Sequence, residues 1–311
     1  MRILVSGAAG FLGWNITRAL RARHPDATIV GIDRMWTGVR RSVEYVDEMI
    51  IARIEDQHSR HSRAYDQVWH LASPASPVHY QKFPIATFHA NVTGLVTCSG
   101  YVARHGTLVF PSSSEVYGDP VVSPQPESYR GLVSTTGPRA CYDESKRMCE
   151  TLLCDMVRER LPIRPKIARL FNVYGPGTLE DDGRAVSNFV CRGLRGEPIE
   201  VHGDGLQTRA FTYVDDVVDA LMRLAHDTGD FVGPVNIGTS VETTVLALAE
   251  HVRDATGGIS RIRHVAPAVD DPRQRLPDLR LCEEILGWRA TTPHSEGVRR
   301  TVEWFRQGLG L

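Results

Sequence analysis

Tyr142 and Lys146 have the residue types and the spacing of an acid–base pair. They lie four positions apart where a helix is predicted to begin, so one helical turn places both side chains on the same face. A phenol has a reference pKa of about 10 and is a poor base at neutral pH, but a neighbouring ammonium group favours the phenolate. The pair could therefore exchange a proton with a substrate hydroxyl. Such pairs also occur on ordinary surface helices, so the surrounding elements must decide whether this one does chemistry.

The composition is that of an ordinary globular chain. With 311 residues, of which 42% are hydrophobic and 23% charged, it can form one large domain or two interleaved ones. A net charge of −1 gives no electrostatic reason to expect binding to nucleic acid or to an anionic membrane surface. No stretch approaches the ~20 apolar residues that span a bilayer, and the apolar run before Ser6 is too short for a signal peptide.

The cysteines and histidines indicate neither a disulfide scaffold nor a metal site. The six cysteines lack a C-x-x-C spacing, and the twelve histidines lack paired ligand spacings. We therefore expect reduced thiols, a cytoplasmic location and no bound metal.

A glycine-rich turn follows the first predicted strand, residues 3–5. Gly7, Gly10 and Gly13 are spaced G-x-x-G-x-x-G and precede a helix predicted over 14–23. A strand, a glycine turn and a helix together place a pyrophosphate at a helix N-terminus, as in dinucleotide-binding folds. The spacing alone is a weak signal and would also suit a structural turn.

Asp33 strengthens this interpretation. It ends the next predicted strand, twenty residues after Gly13, where a carboxylate accepts hydrogen bonds from an adenosine ribose and repels a 2′-phosphate. This favours NAD over NADP, although the neighbouring Arg34 could pair with a 2′-phosphate. Residues 34–65 are polar and are predicted to form a solvated loop.

Strands and helices alternate up to about residue 175, which predicts an α/β fold with a parallel sheet. The further strands are predicted over 67–72, 107–110, 164–170 and 235–238, and the helices over 84–104 and 142–160. Beyond residue 175, glycine and proline become frequent and the elements become shorter. Segments 199–202 and 210–212 flank a loop and are predicted to form a hairpin.

Polar residues follow several of these strands, where ligands bind in open α/β sheets. Ser112, Ser113, Ser114 and Glu115 come directly after the strand at 107–110, and a mere cap or turn is the alternative explanation. A second group suits a diphosphate and comprises Asn172, Arg184 and Arg209. The prolines of loop 270–278 restrict Arg273 and Arg275 to few positions.

Together these residues resemble a known family. The glycine turn and Tyr142-x-x-x-Lys146 are similar to the extended short-chain dehydrogenase/reductase superfamily of nucleotide-sugar epimerases and dehydratases. Segments across nearly the whole chain closely resemble its UDP-glucuronate decarboxylases, or UDP-xylose synthases: 70–77, 114–120, 137–146, 182–189 and 207–211.

The resemblance implies a fold and a division of the chain. We expect a Rossmann-type doubly wound parallel sheet that binds NAD, formed by residues 1–175 and receiving 210–240. A smaller, interleaved region, residues 176–311, would bind the sugar nucleotide. Relatives are homodimers that pair the helices near 84–104 and 142–160. The helix face with Cys149, Leu152, Leu153 and Met156 suits such an interface and equally suits the core.

The resemblance also implies a mechanism, in which tightly held NAD is reduced and reoxidised within one turnover. Tyr142 would take the proton of the sugar C4 hydroxyl, and Lys146 would hold the cofactor ribose and lower the tyrosine pKa. Ser113 would hydrogen-bond the C4 oxygen. Glu115 and Arg275 would orient the carboxylate region and help to reprotonate C5. Carbon dioxide leaves because the C4 ketone is β to the C6 carboxylate and accepts the electrons as an enolate.

Binding residues are implied in two groups. The cofactor group comprises Gly7, Gly10, Phe11, Leu12, Gly13, Asp33, Arg34, Thr37, Gly38, Leu71, Ser73, Asn91, Tyr142 and Lys146. The substrate group comprises Asn172, Arg184, Asn188, His202, Gln207, Arg209 and Arg275.

Close relatives are separated by few positions. A 4,6-dehydratase has Asp where this chain has Ser114, and a 4-epimerase has no use for Glu115 or Arg275. Other NAD-dependent nucleotide-sugar epimerases or dehydratases, including enzymes of TDP-sugars, and a non-catalytic nucleotide-sugar sensor remain as alternatives. A sensor would usually lack Tyr142 or Lys146.

Several positions depart from the family pattern. Ser113 replaces Thr, and the remaining departures cluster around the nucleotides: Arg34, Arg53, Gly177, Arg192 and His202. Our hypothesis is that base preference or product retention differs, so that UDP-4-keto-xylose is released beside UDP-xylose. The sequence decides neither UDP against TDP nor the ratio of the two products.

Overall fold

The computed structural model describes residues 1–37, 40–57, 64–180, 182–267 and 273–311, with the backbone alone for 40–42. Gly38, predicted to contact the cofactor, lies outside these residues, as do 58–63 of the predicted solvated loop and part of the loop before Arg273.

The described residues form strands of very different lengths, and the long ones lie in the N-terminal half. They are β1 (Arg2–Ser6), β2 (Thr28–Asp33), β3 (Glu48–Ile51), β4 (Tyr65–His70), β5 (Val102–Ser113), β6 (Arg164–Leu170), β7 (Val173–Tyr174), β8 (Ile199–His202), β9 (Thr208–Ala210), β10 (Thr212–Tyr213), β11 (Val235–Ile237), β12 (Glu242–Thr244), β13 (Ile262–Val265) and β14 (Gln274–Arg275).

The helices fall between these strands. They are α1 (Phe11–Arg23), α2 (Pro77–Lys82), α3 (Pro84–Ser99), α4 (Ala140–Arg158), α5 (Ala185–Leu194), α6 (Val214–His226), α7 (Val245–Ala255), α8 (Arg280–Leu286) and α9 (His294–Leu309). Within the described ranges, none is both long and apolar enough to cross a membrane.

Seven strands make one parallel sheet in the order β11-β6-β5-β4-β1-β2-β3. The chain winds outward from β1 to β3 on one side and from β4 to β11 on the other, so its direction reverses between β1 and β4. This is the doubly wound arrangement, and ligands bind at the carboxyl ends of the strands where the order reverses. The predicted Rossmann-type α/β fold is confirmed.

Helices cover both faces of the sheet because its strands carry apolar residues on both sides. Ile3 and Val5 of β1 pack with α1 and α6, whereas Leu4 packs with α3 and α4. Cys149, Leu153 and Met156 of α4 belong to this second cluster. The face that suited either an interface or the core is therefore core.

The segment from 210 to 240 returns to the large sheet through β11, which pairs with β6. Four helices after residue 210 were not predicted, because strong amphipathic patterns were overlooked among frequent glycines and prolines: α6, α7, α8 and α9. The division of the chain at residue 175 stays a prediction.

The helix predicted over 84–104 is wrong at its C-terminal end. α3 stops before Gly100, and β5 begins at Val102. The cause is pairing with β4. The Tyr65 N–H donates to the Tyr101 carbonyl (2.9 Å), and the chain continues from there as a strand beside β4.

The predicted hairpin is also wrong. β8 pairs with β13, and β9 pairs with β12 and β14. Gly203 and Gly205 between them adopt φ of 67° and 75°, left-handed conformations that glycine adopts without strain and that turn the two strands apart.

Two predicted loops contain short strands. β3 lies in the segment predicted as a solvated loop, and pairs with β2 at the sheet edge. β14 lies in the predicted loop 270–278 and pairs with β9, with Arg275 opposite Arg209. Strands of two to four residues leave too little periodicity to be recognised, and only the partner strand defines them.

Candidate active site

A cavity of about 650 Å³ lies at the carboxyl ends of β4, β5 and β6. It brings together many of the predicted residues: Leu12, Leu71, Ser73, Ser113, Glu115, Tyr142, Lys146, Asn172, Arg184, Asn188, His202, Gln207 and Arg209. Residues more than 100 positions apart in the sequence therefore line one pocket, and it lies where open α/β sheets bind their ligands.

Tyr142 and Lys146 occupy the first two turns of α4 and are both buried. The Lys146 ammonium donates a hydrogen bond to the Pro111 carbonyl (Nζ–O 2.9 Å), and Nζ lies 5.7 Å from the centre of the Tyr142 ring. Burial lowers the pKa of Lys146 to about 8. The Tyr80 ring stacks on Tyr142, with centroids 5.1 Å apart and planes 12° from parallel. This stacking fixes the plane of the tyrosine and leaves only its hydroxyl to react.

Burial opposes ionisation of the Tyr142 hydroxyl. It raises the pKa of this group above the ordinary tyrosine value, and a hydrogen bond with Ser113 opposes only part of the rise. Lys146 donates from its ammonium to a backbone carbonyl, and its predicted effect on the tyrosine stays a prediction. Ser113, through its hydrogen bond, and Arg184, through its charge, both lower the pKa of Tyr142.

Glu115 lies between two arginines. Arg139 donates to its Oε2, and Arg275 Nη2 donates to the same oxygen at 3.0 Å. Burial would raise the pKa of Glu115, but the two guanidinium groups outweigh burial and hold it at about 2. The carboxylate is therefore ionised at neutral pH, and the three side chains carry a net charge of +1.

Arg275 does not line the cavity but lies behind Glu115. Its side chain is 2% exposed, and it also donates to Ser114 Oγ (3.0 Å) and the Gly118 carbonyl (2.9 Å). Arg139 lines the cavity and is the arginine of the pair that can meet a ligand directly.

The glycine turn lets backbone segments approach one another closely. A Cβ atom at Gly13 would lie 2.0 Å from the Gly7 carbonyl oxygen, and one at Gly7 would lie 2.6 Å from the Ala72 nitrogen. These positions tolerate only glycine, and the resulting close packing places the N-terminus of α1 directly at the end of β1. Backbone N–H groups there suit a pyrophosphate.

The remaining cofactor residues surround this turn. Asp33 Oδ2 accepts from the Ala9 N–H (3.0 Å) and Oδ1 from the Met35 N–H (2.7 Å), which holds the carboxylate at the tip of β2. Burial raises the pKa of Asp33. The exposed Arg34 lies with its guanidinium 4.1 Å from the centre of the Trp36 ring, and Thr37 is half-buried.

Asn91 lies on α3 and, like these residues, is not part of the cavity wall. It donates from Nδ2 to Ser145 Oγ (2.8 Å), and Ser145 donates to the Tyr142 carbonyl (2.9 Å). Asn91 therefore supports the helix that carries the acid–base pair. Its buried Oδ1 has no partner among the described residues.

Arg184 connects the two halves of the site. It pairs with Asp182, and its guanidinium lies 5.1 Å from the centre of the Phe11 ring in the glycine turn. Asn172 and Asn188 line the same wall. An arginine at this junction can contact a diphosphate that enters from either side.

The positions that depart from the family pattern are held by local contacts. Arg192 pairs with Glu200 (2.9 Å) on the cavity wall, and His202 Nδ1 lies 2.9 Å from the Ala266 carbonyl. Away from the cavity, Arg53 pairs with Glu55 (2.9 Å). Arg192 and His202 therefore give this end of the cavity a charged and polar wall.

Sequence reasoning missed Arg139 and Tyr80. Arg139 stands three positions before Tyr142, so one turn of helix places it beside the tyrosine, and this spacing could have identified it. Tyr80 carried no local signal, because only the packing of α2 against α4 brings it onto Tyr142.

Comparisons with known proteins agree with this geometry. The NAD dependent epimerase/dehydratase family matches residues 3–238. The chain is 43% identical to UDP-glucuronic acid decarboxylase 5 of Arabidopsis thaliana, over all of this chain and 91% of that protein.

Two solved structures are also similar. UDP-glucose 4-epimerase of Thermotoga maritima, solved with UDP-glucose, superposes with a TM-score of 0.90 at 30% identity, covering 99% of this chain and 100% of that one. The dTDP-glucose 4,6-dehydratase DesIV of Streptomyces venezuelae, solved with NAD, superposes with a TM-score of 0.86 at 26% identity, covering 100% and 98%.

Proposed function

The chain belongs to the NAD dependent epimerase/dehydratase family, and we propose that it is an NAD-dependent carboxy-lyase that converts UDP-glucuronate into UDP-xylose. The family assignment made from the sequence is confirmed by the family match over residues 3–238 and by the relative that is matched over the whole chain. The proposed reaction oxidises the sugar at C4, releases the C6 carboxylate as carbon dioxide and reduces C4 again.

One observation carries the proposal: Arg139 lines the cavity with Tyr142 and pairs with Glu115, and Arg275 pairs with the same carboxylate from behind the wall. A hexuronate differs from a neutral hexose by a carboxylate at C6, and an arginine that lines a buried pocket is suited to bind it. A neutral hydroxymethyl group cannot form this ion pair with Arg139.

At C4, the side chains of Tyr142 and Ser113 act on one oxygen. Tyr142, as the phenolate, takes the proton of the C4 hydroxyl on Oη, and Ser113 hydrogen-bonds both the tyrosine and the sugar oxygen. When bound, NAD supplies the hydride acceptor that oxidises C4 and the hydride donor that reduces it. Lys146, held by the Pro111 carbonyl, lies below the tyrosine ring to bind the cofactor ribose.

At C6 and C5, Arg139 orients the carboxylate, and Arg275 acts through Glu115. Because the pKa of Glu115 is about 2, this residue accepts hydrogen bonds at neutral pH and does not donate a proton. It therefore helps to reprotonate C5 by orienting a water molecule, which donates the proton. The hydroxyls of Ser113 and Tyr142 stabilise the enolate oxygen that forms at C4.

Product analysis tests this assignment. Purified protein is incubated separately with UDP-glucuronate, TDP-glucuronate and UDP-glucose, and the nucleotide sugars are separated by chromatography, which resolves epimers, and identified by mass spectrometry. A pentose product from UDP-glucuronate, with UDP-glucose unchanged, supports the proposal. Conversion of UDP-glucose would indicate an epimerase or dehydratase, and no conversion would indicate a sensor. The ratio of pentose to keto-pentose tests the hypothesis that UDP-4-keto-xylose is released.

We further propose that the protein is a homodimer. Apolar residues of α3 form an exposed stripe at helical spacing: Ile85 (71% exposed), Phe88 (37%) and Val96 (52%). Met148 of α4 is also exposed. Val96→Asp is expected to shift the sedimentation coefficient to that of a monomer, and Ile259→Asp, at another exposed apolar residue, is the control. An unchanged oligomer would contradict this proposal.

A cytoplasmic location stays a prediction, consistent with six free cysteines.

A further inference from the structure

A buried ion pair lies beneath the turn that carries Ser113 and Glu115. Arg169 of β6 donates to Glu150 of α4 through Nε (3.0 Å to Oε1) and Nη2 (2.7 Å to Oε2). The two side chains are 12% and 10% exposed. Neither residue lines the cavity, so neither is expected to touch a substrate.

Both ends of the Ser112–Tyr117 turn form hydrogen bonds with this ion pair. Ser112 Oγ donates to Glu150 Oε1 at 2.5 Å, and Arg169 Nη1 donates to the Tyr117 hydroxyl at 2.9 Å. The residues between these anchors include Ser113 and Glu115. Both ends of the catalytic turn are therefore held by one guanidinium–carboxylate pair.

The same network continues to the segment that carries Arg275. The Tyr117 hydroxyl donates to Asn236 Oδ1 (2.8 Å), and Asn236 Nδ2 donates to the Gln125 carbonyl (2.9 Å). Gln125 in turn exchanges hydrogen bonds with the backbone of Leu276, which follows Arg275 in the chain. Hydrogen bonds thus connect the Tyr117 hydroxyl both to the turn that carries Glu115 and to the segment that carries Arg275, two residues 160 positions apart.

We propose that Arg169 and Tyr117 are positioning residues that hold Glu115 and Arg275 in the relative position that decarboxylation at C6 requires. This inference rests on the proposed function. Ser112 is anchored through Glu150 and does not contact the Tyr117 hydroxyl, so Ser113 and the chemistry at C4 depend less on that hydroxyl than Glu115 does. Loss of that hydroxyl should slow decarboxylation and spare oxidation, because a displacement of about 1 Å can cost ~100-fold in rate.

The test compares Tyr117→Phe with the wild type in single turnovers. Reduced-nicotinamide absorbance reports C4 oxidation, and release of labelled carbon dioxide from UDP-glucuronate reports decarboxylation. Phe keeps the ring against Tyr129 and Phe171 and removes only the hydroxyl. We expect oxidation within ~3-fold of wild type and decarboxylation slowed ~10-fold, so that reduced nicotinamide accumulates transiently.

Two further variants complete the design. Tyr129→Phe makes the same chemical change on the neighbouring ring, whose hydroxyl accepts from the Val121 N–H (3.3 Å), and should behave as wild type. Arg169→Lys cannot keep the forked contacts and should slow decarboxylation more than Tyr117→Phe.

The outcomes separate this inference from the proposed function. If Tyr117→Phe slows both steps equally, or neither, the positioning role is wrong while the reaction stands. If the wild type itself releases no carbon dioxide, the proposed function fails. If Arg169→Lys does not fold, Tyr117→Phe alone decides the inference.

Discussion

Replacement of Glu115 by Gln should destabilise the protein in a way that depends on pH. The pKa of this carboxyl is about 2 in the folded chain against an ordinary value of 4.5, a difference that corresponds to ~3 kcal/mol of folding free energy at pH 7. Gln keeps one acceptor oxygen for Arg139 or Arg275, worth ~1 kcal/mol. We therefore expect the variant to lose about 2 kcal/mol.

The pH dependence follows from the direction of the shift. A depressed carboxyl pKa stabilises the folded state above pH 4.5, and this stability is lost as the pH falls from 4.5 towards 2. At pH 3.5 the wild type should have lost ~1 kcal/mol of its advantage over the variant.

Urea unfolding of both proteins between pH 7 and pH 3.5 measures this difference. Glu180→Gln is the matched control, because Glu180 forms an exposed pair with Arg195, and such pairs contribute ~0–1 kcal/mol. Suppose that Glu115→Gln loses no more free energy of unfolding than the control, or that its loss does not become smaller in acid. Either result would contradict the conclusion that the two arginines lower the pKa of Glu115.

Three other changes give distinct results. Tyr142→Phe should lower kcat by at least ~100-fold with an unchanged melting temperature, since it removes the hydroxyl that takes the C4 proton; activity within tenfold of wild type would exclude Tyr142 as the base. Gly13→Ala should abolish NAD retention, measured by absorbance of the purified protein, because its Cβ would lie 2.0 Å from the Gly7 carbonyl oxygen, whereas Gly308→Ala, in open space, should not. Lys146→Met should lose activity, yet its free energy of unfolding at pH 7 should be about 1–2 kcal/mol higher than that of the wild type, because burial lowers the pKa of Lys146 to about 8. As the pH rises from 8 to 10.5, the wild type should regain this stability relative to the variant, and urea unfolding at pH 7 and pH 10 measures the change.

Local patterns identified most of the large sheet and one half of the site. The glycine turn and Asp33 are adjacent along the chain to the strands that position them, so residue type and spacing indicate their geometry. Tyr142 and Lys146 belong to one helix, and a single turn relates them. Such features need no knowledge of distant segments.

The other half of the site depends on tertiary contacts. The sequence suggested Arg275 as a substrate contact, but Glu115 lies between it and the cavity. Arg139 was not identified from the sequence, and its partner Glu115 lies 24 positions away in the turn after β5. β3 and β14 are defined by pairing with longer strands, and two to four residues contain no usable period.

The proposed reaction removes the C6 carboxylate of a nucleotide-linked glucuronic acid. UDP-glucuronate labelled at C6 tests this most directly, with the label followed into carbon dioxide and into the nucleotide sugar. Wild-type protein is expected to release the label quantitatively as carbon dioxide and to leave an unlabelled pentose. Label retained in a converted nucleotide sugar would contradict it.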